Sequence, residues 1–295
     1  AVVPRPPRAD LGKPPAAPER KAWRVQDSVF GAYRGDTEAA LGKAFALDWE
    51  SSKLERLLKT PEEMEGVQGL LRQFFQQFKN VFRHYACKGS MTDSGNVQWG
   101  SFTEFCQTVG VMDDQVLLSH VDTVFIAVNV AKSAHKMNPD RSLCRYEFME
   151  ALVRLAHAKY VVTGKLPTTS AACEHFFPDV ARLAEQDFDA DRWRRRKLWT
   201  EKNDLVLKHY MPLLEVLFSS FAGQFTTYLS NRRIQNHTLM CILDFVAMFQ
   251  FSGLTPGLVS ERDVCLAFTH AIQPLVDDLN SEGKNMLMGK VEFWE

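Results

Sequence analysis

The sequence has few of the features that identify an enzyme, a metal protein or a membrane protein. It contains no Gly-rich phosphate loop, no G-x-S-x-G elbow and no H-E-x-x-H motif. Its six cysteines are scattered singly without a Cys-x-x-Cys pair, which argues against a zinc site and favours a reduced, intracellular compartment. No stretch approaches the roughly 18 consecutive apolar residues of a membrane helix, and the first residues do not resemble a secretory signal.

A large excess of one charge is also missing. The formal net charge of −1 argues against a globally basic nucleic-acid-binding protein. Apolar residues are plentiful, since 45% of the 295 residues are hydrophobic and 21 of them are Phe. This composition is enough to bury two cores, and the length fits two domains in tandem.

The N-terminal segment has a composition of its own. Residues 1–24 contain six of the thirteen prolines and several basic residues, a composition that builds no core. The sequence therefore predicts an extended, Pro-rich arm over 1–38. Its candidate contacts to an acidic partner surface are Arg5, Arg8, Arg20 and Lys21. The alternative is that the arm folds back onto its own domain.

Residues 71–160 and 207–295 carry one pattern twice. Apolar and glycine positions recur in order, namely Phe82, Phe102 and Gly110 in the first copy and Phe218, Phe245 and Gly253 in the second. The strings EFME at 147–150 and EFWE at 292–295 also match. The series predicts an all-α protein of two repeats of roughly 140 residues each. The second copy has no counterpart of the apolar stretch 151–156 of the first, so we expect the chain to belong to a longer protein.

Local signals place the helices and the boundaries. Thr60 and Pro61 predict the N-cap and first turn of a long amphipathic helix. Ser119 and Ser260, each with an aspartate three residues later, predict two capping boxes. The resulting division is a leading arm (1–38), a first helical unit (39–160), a linker with a basic helix (161–199) and a second unit (200–295).

Each repeat reads as helix, loop, helix, helix, loop, helix, which is the layout of a pair of EF-hands. In that motif, oxygen ligands occupy loop positions 1, 3 and 5, an apolar residue at position 8 joins a β-bridge, and a glutamate closes position 12. The apolar position falls at Val97, Leu143 and Met240 in the first three loops, and Glu292 closes the fourth.

All four loops lack some of the oxygen ligands that calcium binding requires. The first offers hydroxyl groups in place of carboxylates, and the third begins with Arg233. The second is the best candidate, with Asn138 and Asp140 at positions 3 and 5 and Glu147 at position 12, yet cationic side chains occupy its first and sixth positions. We therefore expect no metal, with weak calcium binding in the second loop as the alternative.

The densest charge run lies at 191–197. Its candidate partner-binding residues are Arg192, Trp193, Arg194, Arg195, Arg196 and Lys197. Arginine can donate two parallel hydrogen bonds to a carboxylate and can stack on aromatic rings, so the run suits an acidic protein surface. A solvated helix between the two units is the plain alternative, and nucleic acid would use the same chemistry.

The strings NPDRSLCRYEFMEALVRLA at 138–156 and VEFWE at 291–295 resemble the second-hand exit helices of degenerate EF-hand, calmodulin-like proteins of cilia and flagella. The resemblance spans roughly residues 60–295. It implies a calmodulin-like helical fold and a place on the axoneme, on or inside the doublet microtubules. It also implies degenerate hands used as adaptors, with tails that thread between neighbouring proteins.

The leading hypothesis is a non-enzymatic structural adaptor of an axonemal microtubule assembly, with tubulin or other axonemal proteins as partners and no cofactor. The second hypothesis is a calcium-responsive regulatory subunit that keeps one weak site in the second loop. The third is a nucleic-acid-associated factor that acts through residues 191–197.

Overall fold

The computed structural model describes residues 21–89, 95–130, 141–185, 189–228, 234–280 and 286–295. The chain is mostly helical, as predicted. The helices are α1 (Glu38–Ser51), α2 (Pro61–Ala86), α3 (Trp99–Thr108), α4 (Leu118–Val128), α5 (Arg145–Ala156), α6 (Thr169–Leu183), α7 (Ala190–Trp193), α8 (Glu201–Phe221), α9 (Ile242–Phe251), α10 (Glu261–Ala271) and α11 (Lys290–Phe293). Within the described ranges, no helix is both long enough and apolar enough to cross a membrane.

The short strands form two small antiparallel sheets. They are β1 (Val97–Gln98), β2 (Ser142–Leu143), β3 (Gly223–Tyr228), β4 (Ile234–Cys241) and β5 (Leu287–Met288). Strand β1 pairs with β2, and β4 lies between β3 and β5. Helices α5 and α7 each continue into one π-helical turn, over His157–Val161 and Arg194–Leu198.

Helix α2 is the axis of the first unit. It begins as its sequence predicts, with the Thr60 hydroxyl accepting the Glu63 N–H at 3.2 Å and Pro61 in the first turn. One side of α2 is buried against α5 and α6. The Phe78 ring meets the Phe177 ring of α6 edge to face, with centroids 4.9 Å apart.

Helix α6 belongs to the first core and not to a linker. The sequence predicts a linker over 161–199, but Cys173, Phe176, Phe177 and Val180 are fully or almost fully buried in that core. Burying a Phe side chain stabilises by about 1.5–3 kcal/mol, so these residues fix α6 on α2. The first unit therefore extends to about residue 184.

The second unit has a smaller core of its own. Phe218 of α8, Phe245 of α9 and Phe268 of α10 are its central residues. Between α8 and α9 the chain forms the hairpin of β3 and β4. Its register pairs Gly223 with Leu239 and Tyr228 with Ile234.

Positions that the predicted repeat matches make similar contacts in the two units. The positive-φ glycines that follow α3 and α9 are Gly110 and Gly253, both with φ of 69°. Corresponding rings make corresponding contacts: Phe82 with Phe148 (5.8 Å), Phe218 with Phe293 (5.4 Å), Phe102 with Phe125 (5.5 Å) and Phe245 with Phe268 (5.5 Å). The two bridges also correspond, since Val97 pairs with Leu143 and Met240 pairs with Met288.

Candidate functional site

The carboxylates that would close three of the four loops lie at the starts of helices. Glu147 accepts the Cys144 N–H at 3.2 Å, Asp244 accepts the Cys241 N–H at 3.3 Å, and Glu292 accepts the Gly289 N–H at 3.0 Å. Each acid is the third residue of its helix and satisfies a backbone donor that the helix leaves free. These hydrogen bonds tie each acid to the start of its own helix.

Glu147 is the most constrained of the three. Its side chain has no exposed surface, and its second oxygen accepts the Tyr146 hydroxyl at 3.1 Å. A metal bound by both oxygens would have to share each of them with one of these hydrogen bonds. The other two predicted ligands of this loop, Asn138 and Asp140, lie outside the described residues.

The third loop does not have the curled shape expected of an ion-binding loop. Residues 234–241 form the extended strand β4, which pairs with β3 over 234–239 and with β5 at Met240 and Cys241. The backbone of a strand rises about 3.3 Å per residue, so it does not curl around one ion. Arg233, at the first position of this loop, lies outside the described residues.

The basic run divides into exposed and buried members. Trp193, Arg195, Arg196 and Lys197 are exposed, which fits both the predicted partner surface and the alternative of a solvated helix. Arg192 is partly buried and donates to the Glu185 carbonyl. Arg194 is only 3% exposed and makes its contacts inside the protein, so it does not belong to the surface patch.

Arg194 joins the end of the second unit to α7 and to the N-terminal segment. Its guanidinium pairs with Asp191 at 2.9 Å and with the Glu295 side chain at 2.8 Å. It lies over the Tyr33 ring, 4.3 Å from the centroid, and donates to the His270 carbonyl near the end of α10. Burial raises the pKa of Tyr33 to about 12, so the ring stays neutral beneath this cation.

Two more arginines connect the first unit to residues 269–278 of the second. Arg83 of α2 donates to the Thr269 and Ile272 carbonyls at the end of α10. Arg145 of α5 donates to the Leu275 carbonyl at 3.1 Å and the Val276 carbonyl at 2.9 Å. Cations are favourable at a helix C-terminus because the last carbonyl groups carry partial negative charge.

Residues 21–37 fold onto the second unit. They form two 3-10 turns, Val25–Asp27 and Val29–Ala32, where the sequence predicts an extended arm. Asp204 of α8 accepts the Trp23 indole N–H at 3.0 Å and the Val29 N–H at 2.9 Å. Of the four predicted contacts of the arm, Lys21 is exposed, and Arg5, Arg8 and Arg20 lie outside the described residues.

The six cysteines are unpaired thiols, five of them buried. Burial raises the pKa of Cys87 to about 11, which leaves little thiolate at neutral pH. Among the described residues, no three His, Cys, Asp or Glu side chains are grouped closely enough to hold a metal ion.

Sequence reasoning missed one surface. The outer side of α8 exposes the apolar residues Leu205, Val206, Tyr210, Leu213 and Val216, which are 49–63% exposed. Comparison of α8 with α2 position by position could have found it, because three of these residues replace a glycine and two amides of the first copy. Comparison of the chain with protein-family models, with curated proteins and with solved structures found no match.

Proposed function

We propose that this protein is a non-enzymatic structural adaptor built from two EF-hand-like helix pairs that do not need calcium. The observation that carries the proposal is the use of the loop-closing carboxylates, Glu147, Asp244 and Glu292, as helix caps. A sensor needs these oxygens free for the ion, because binding of the ion moves the exit helix. Here the exit helices are already held by protein donors.

The paired strands support the EF-hand-like architecture. Both bridges join residues at loop position 8, namely Val97 with Leu143 and Met240 with Met288, which lies four residues before Glu292. The element order of the first unit, from α2 to α5, recurs from α8 to α11. Each pair therefore presents a fixed set of helices, which suits a module that binds other proteins.

The arginines that connect the two units support a static role for the same reason. Arg83 and Arg145 of the first unit donate to backbone carbonyls of the second, and Arg145 is only 2% exposed, so separating the units would take these partners from a buried cation. A fixed spacing between two binding modules is useful in a scaffold. We place this scaffold in a cytoskeletal assembly, on the axonemal microtubule, with tubulin or other axonemal proteins as partners.

Calorimetric titration of the 295-residue chain with calcium tests the proposal. We expect no saturating heat at micromolar calcium. A saturating heat that Glu147→Gln removes, and that the matched surface variant Glu62→Gln leaves intact, would contradict the proposal and favour the calcium-responsive regulator.

Co-sedimentation with microtubules tests the placement. We expect the protein to pellet with axonemal doublets at physiological salt. Binding to duplex or single-stranded nucleic acid under the same conditions, without binding to doublets, would instead assign the exposed residues Arg195, Arg196 and Lys197 to a nucleic-acid contact.

A further inference from the structure

The outer side of α8 is an exposed apolar surface on the second unit. We call Leu205, Val206, Tyr210, Leu213 and Val216 the α8 face. With 3.6 residues per turn, the five side chains fall on one stripe along the helix. The buried residues of α8, Asp204 and Phe218, lie on the other side. A helix that bordered only solvent would carry polar residues here.

The first copy shows what covers the same part of a helix. Phe74 of α2 corresponds to Tyr210 of α8, 136 positions later, and its ring contacts Phe177 of α6 with centroids 6.3 Å apart. Leu70, which corresponds to Val206, also packs against the first core. In the first unit an amphipathic helix therefore lies over positions that are exposed in the second.

The α8 face is also wider than its counterpart. Leu205, Leu213 and Val216 correspond to Gly69, Gln77 and Asn80 of α2. These positions are small or polar in the first copy, where Gly69 is exposed, and they are apolar and exposed in the second. The substitutions enlarge the area available to an apolar occupant.

The charges on the stripe indicate the chemistry of that occupant. Lys202 and His209 fall within the stripe by helical periodicity, and both are exposed. Glu201 and Glu215 fall outside it. An acidic side chain on the occupant would therefore meet a cation beside the apolar contacts.

We propose that the α8 face binds an amphipathic, acidic α-helix of a partner protein, in the way that α6 covers α2. The apolar residues of such a helix recur at steps of three and four, as do Cys173, Phe176, Phe177 and Val180 of α6. This proposal rests on the proposed adaptor function and identifies the kind of partner that the second unit takes.

A labelled synthetic peptide with the sequence of residues 168–184 serves as the helical probe, and its fluorescence anisotropy is followed as the 295-residue chain is added. We expect saturable one-to-one binding to the wild-type chain. Leu213→Glu combined with Val216→Glu should weaken binding at least about tenfold, because both changes place a carboxylate in the apolar contact. The matched control Ile126→Glu alters a residue of α4 that is 59% exposed and should change the affinity by less than about twofold.

Three results would overturn the proposal. They are no binding to a monomeric wild-type chain, equal binding to the double variant, and a wild-type dimer that the double variant dissolves, which would assign the α8 face to a second copy. Titrations in excess calcium and in chelator separate this proposal from the adaptor proposal. Binding in calcium alone would support the α8 face and contradict a calcium-free adaptor, whereas absence of binding in both would overturn only the docking site.

Discussion

Arg145 offers the most direct test of how the two units are held together. All five of its N–H donors have acceptors: two on Asp48 at 2.6 and 3.0 Å, two on the carbonyls of Leu275 and Val276, and one on Asp278 at 2.8 Å. The side chain is 2% exposed and lies over the Phe75 ring. One residue thus joins α1, α5 and the second unit.

The expected effect of Arg145→Met follows from the charge it leaves behind. Methionine fills a similar volume, but Asp48 loses its bidentate partner inside the protein. Removing one member of a buried pair costs about 3–5 kcal/mol, whereas an exposed pair contributes about 0–1 kcal/mol. We therefore expect the free energy of unfolding to fall by about 3–5 kcal/mol.

Urea unfolding followed by circular dichroism measures this loss. Arg182→Met is the matched control, because Arg182 makes only an exposed pair with Asp179, with side chains 65% and 42% exposed, and its loss should cost less than about 0.5 kcal/mol. Adding Asp48→Asn to Arg145→Met should restore part of the stability, since the orphan carboxylate is removed. A loss below about 1 kcal/mol for Arg145→Met, or no rescue by Asp48→Asn, would refute the reasoning.

Two further predictions concern the backbone and the pH dependence. Gly110→Ala should lower the free energy of unfolding by about 1–2 kcal/mol, because Gly110 has a φ of 69° that side chains with a Cβ disfavour. Gly69→Ala, at an open position within α2, should raise it by about 0.5–1 kcal/mol. Thermal unfolding of the two variants measures both changes. Burial, together with Arg83 and Arg194, lowers the pKa of His270 from 6.5 to about 3, so the unfolded chain binds the proton more readily and stability falls as the pH drops below 6.5. His270→Gln should therefore lose less stability than the wild type between pH 6.5 and about 4 in urea unfolding, and equal losses would contradict this account. The buried carboxylates of Asp48 and Asp278 have raised pKa values, so they make stability rise as the pH falls, but they are the same in both proteins.

Local sequence signals located some helix starts and missed others. Ser260 caps α10 with Asp263 as the capping box predicts. The same signal at Ser119 is wrong, since α4 begins at Leu118 and the Leu117 N–H donates to the ring of His120 at 3.0 Å. His120 therefore fills the capping role that the pattern assigns to Asp122, and the helix begins two residues earlier than predicted. The Ser-x-x-Asp pattern does not reveal this difference.

Tertiary packing decided the elements that the sequence misassigned. Pro178 suggests a helix start, yet it lies inside α6, which begins at Thr169. The burial of Phe176 and Phe177 outweighs the backbone hydrogen bond that the proline removes. The β3–β4 hairpin was also missed, although the β-branched and aromatic residues at 225–228 favour a strand.

The buried ion pairs of Arg145 and Arg194 could not be predicted, because their partners are distant in sequence. Asp48 and Arg145 are separated by 97 residues, and Arg194 and Glu295 by 101. Nothing in the sequence around Arg194 distinguishes it from the exposed Arg195 and Arg196, so composition alone assigns all three to a surface. Only the fold shows which arginine is buried.

The difference between the two copies is more informative about function than their likeness. Both copies keep aromatic contacts in the core, a positive-φ glycine after the second helix and a helix-capping acid. They differ in what lies over the long helix: α6 covers α2, whereas Leu213 and Val216 of α8 face outward. In the first unit α6 covers the long helix, and we propose that an acidic helix of a partner protein covers the α8 face in the second. This arrangement suits an adaptor, because the first unit supplies a well-packed base and the α8 face supplies a surface for attachment.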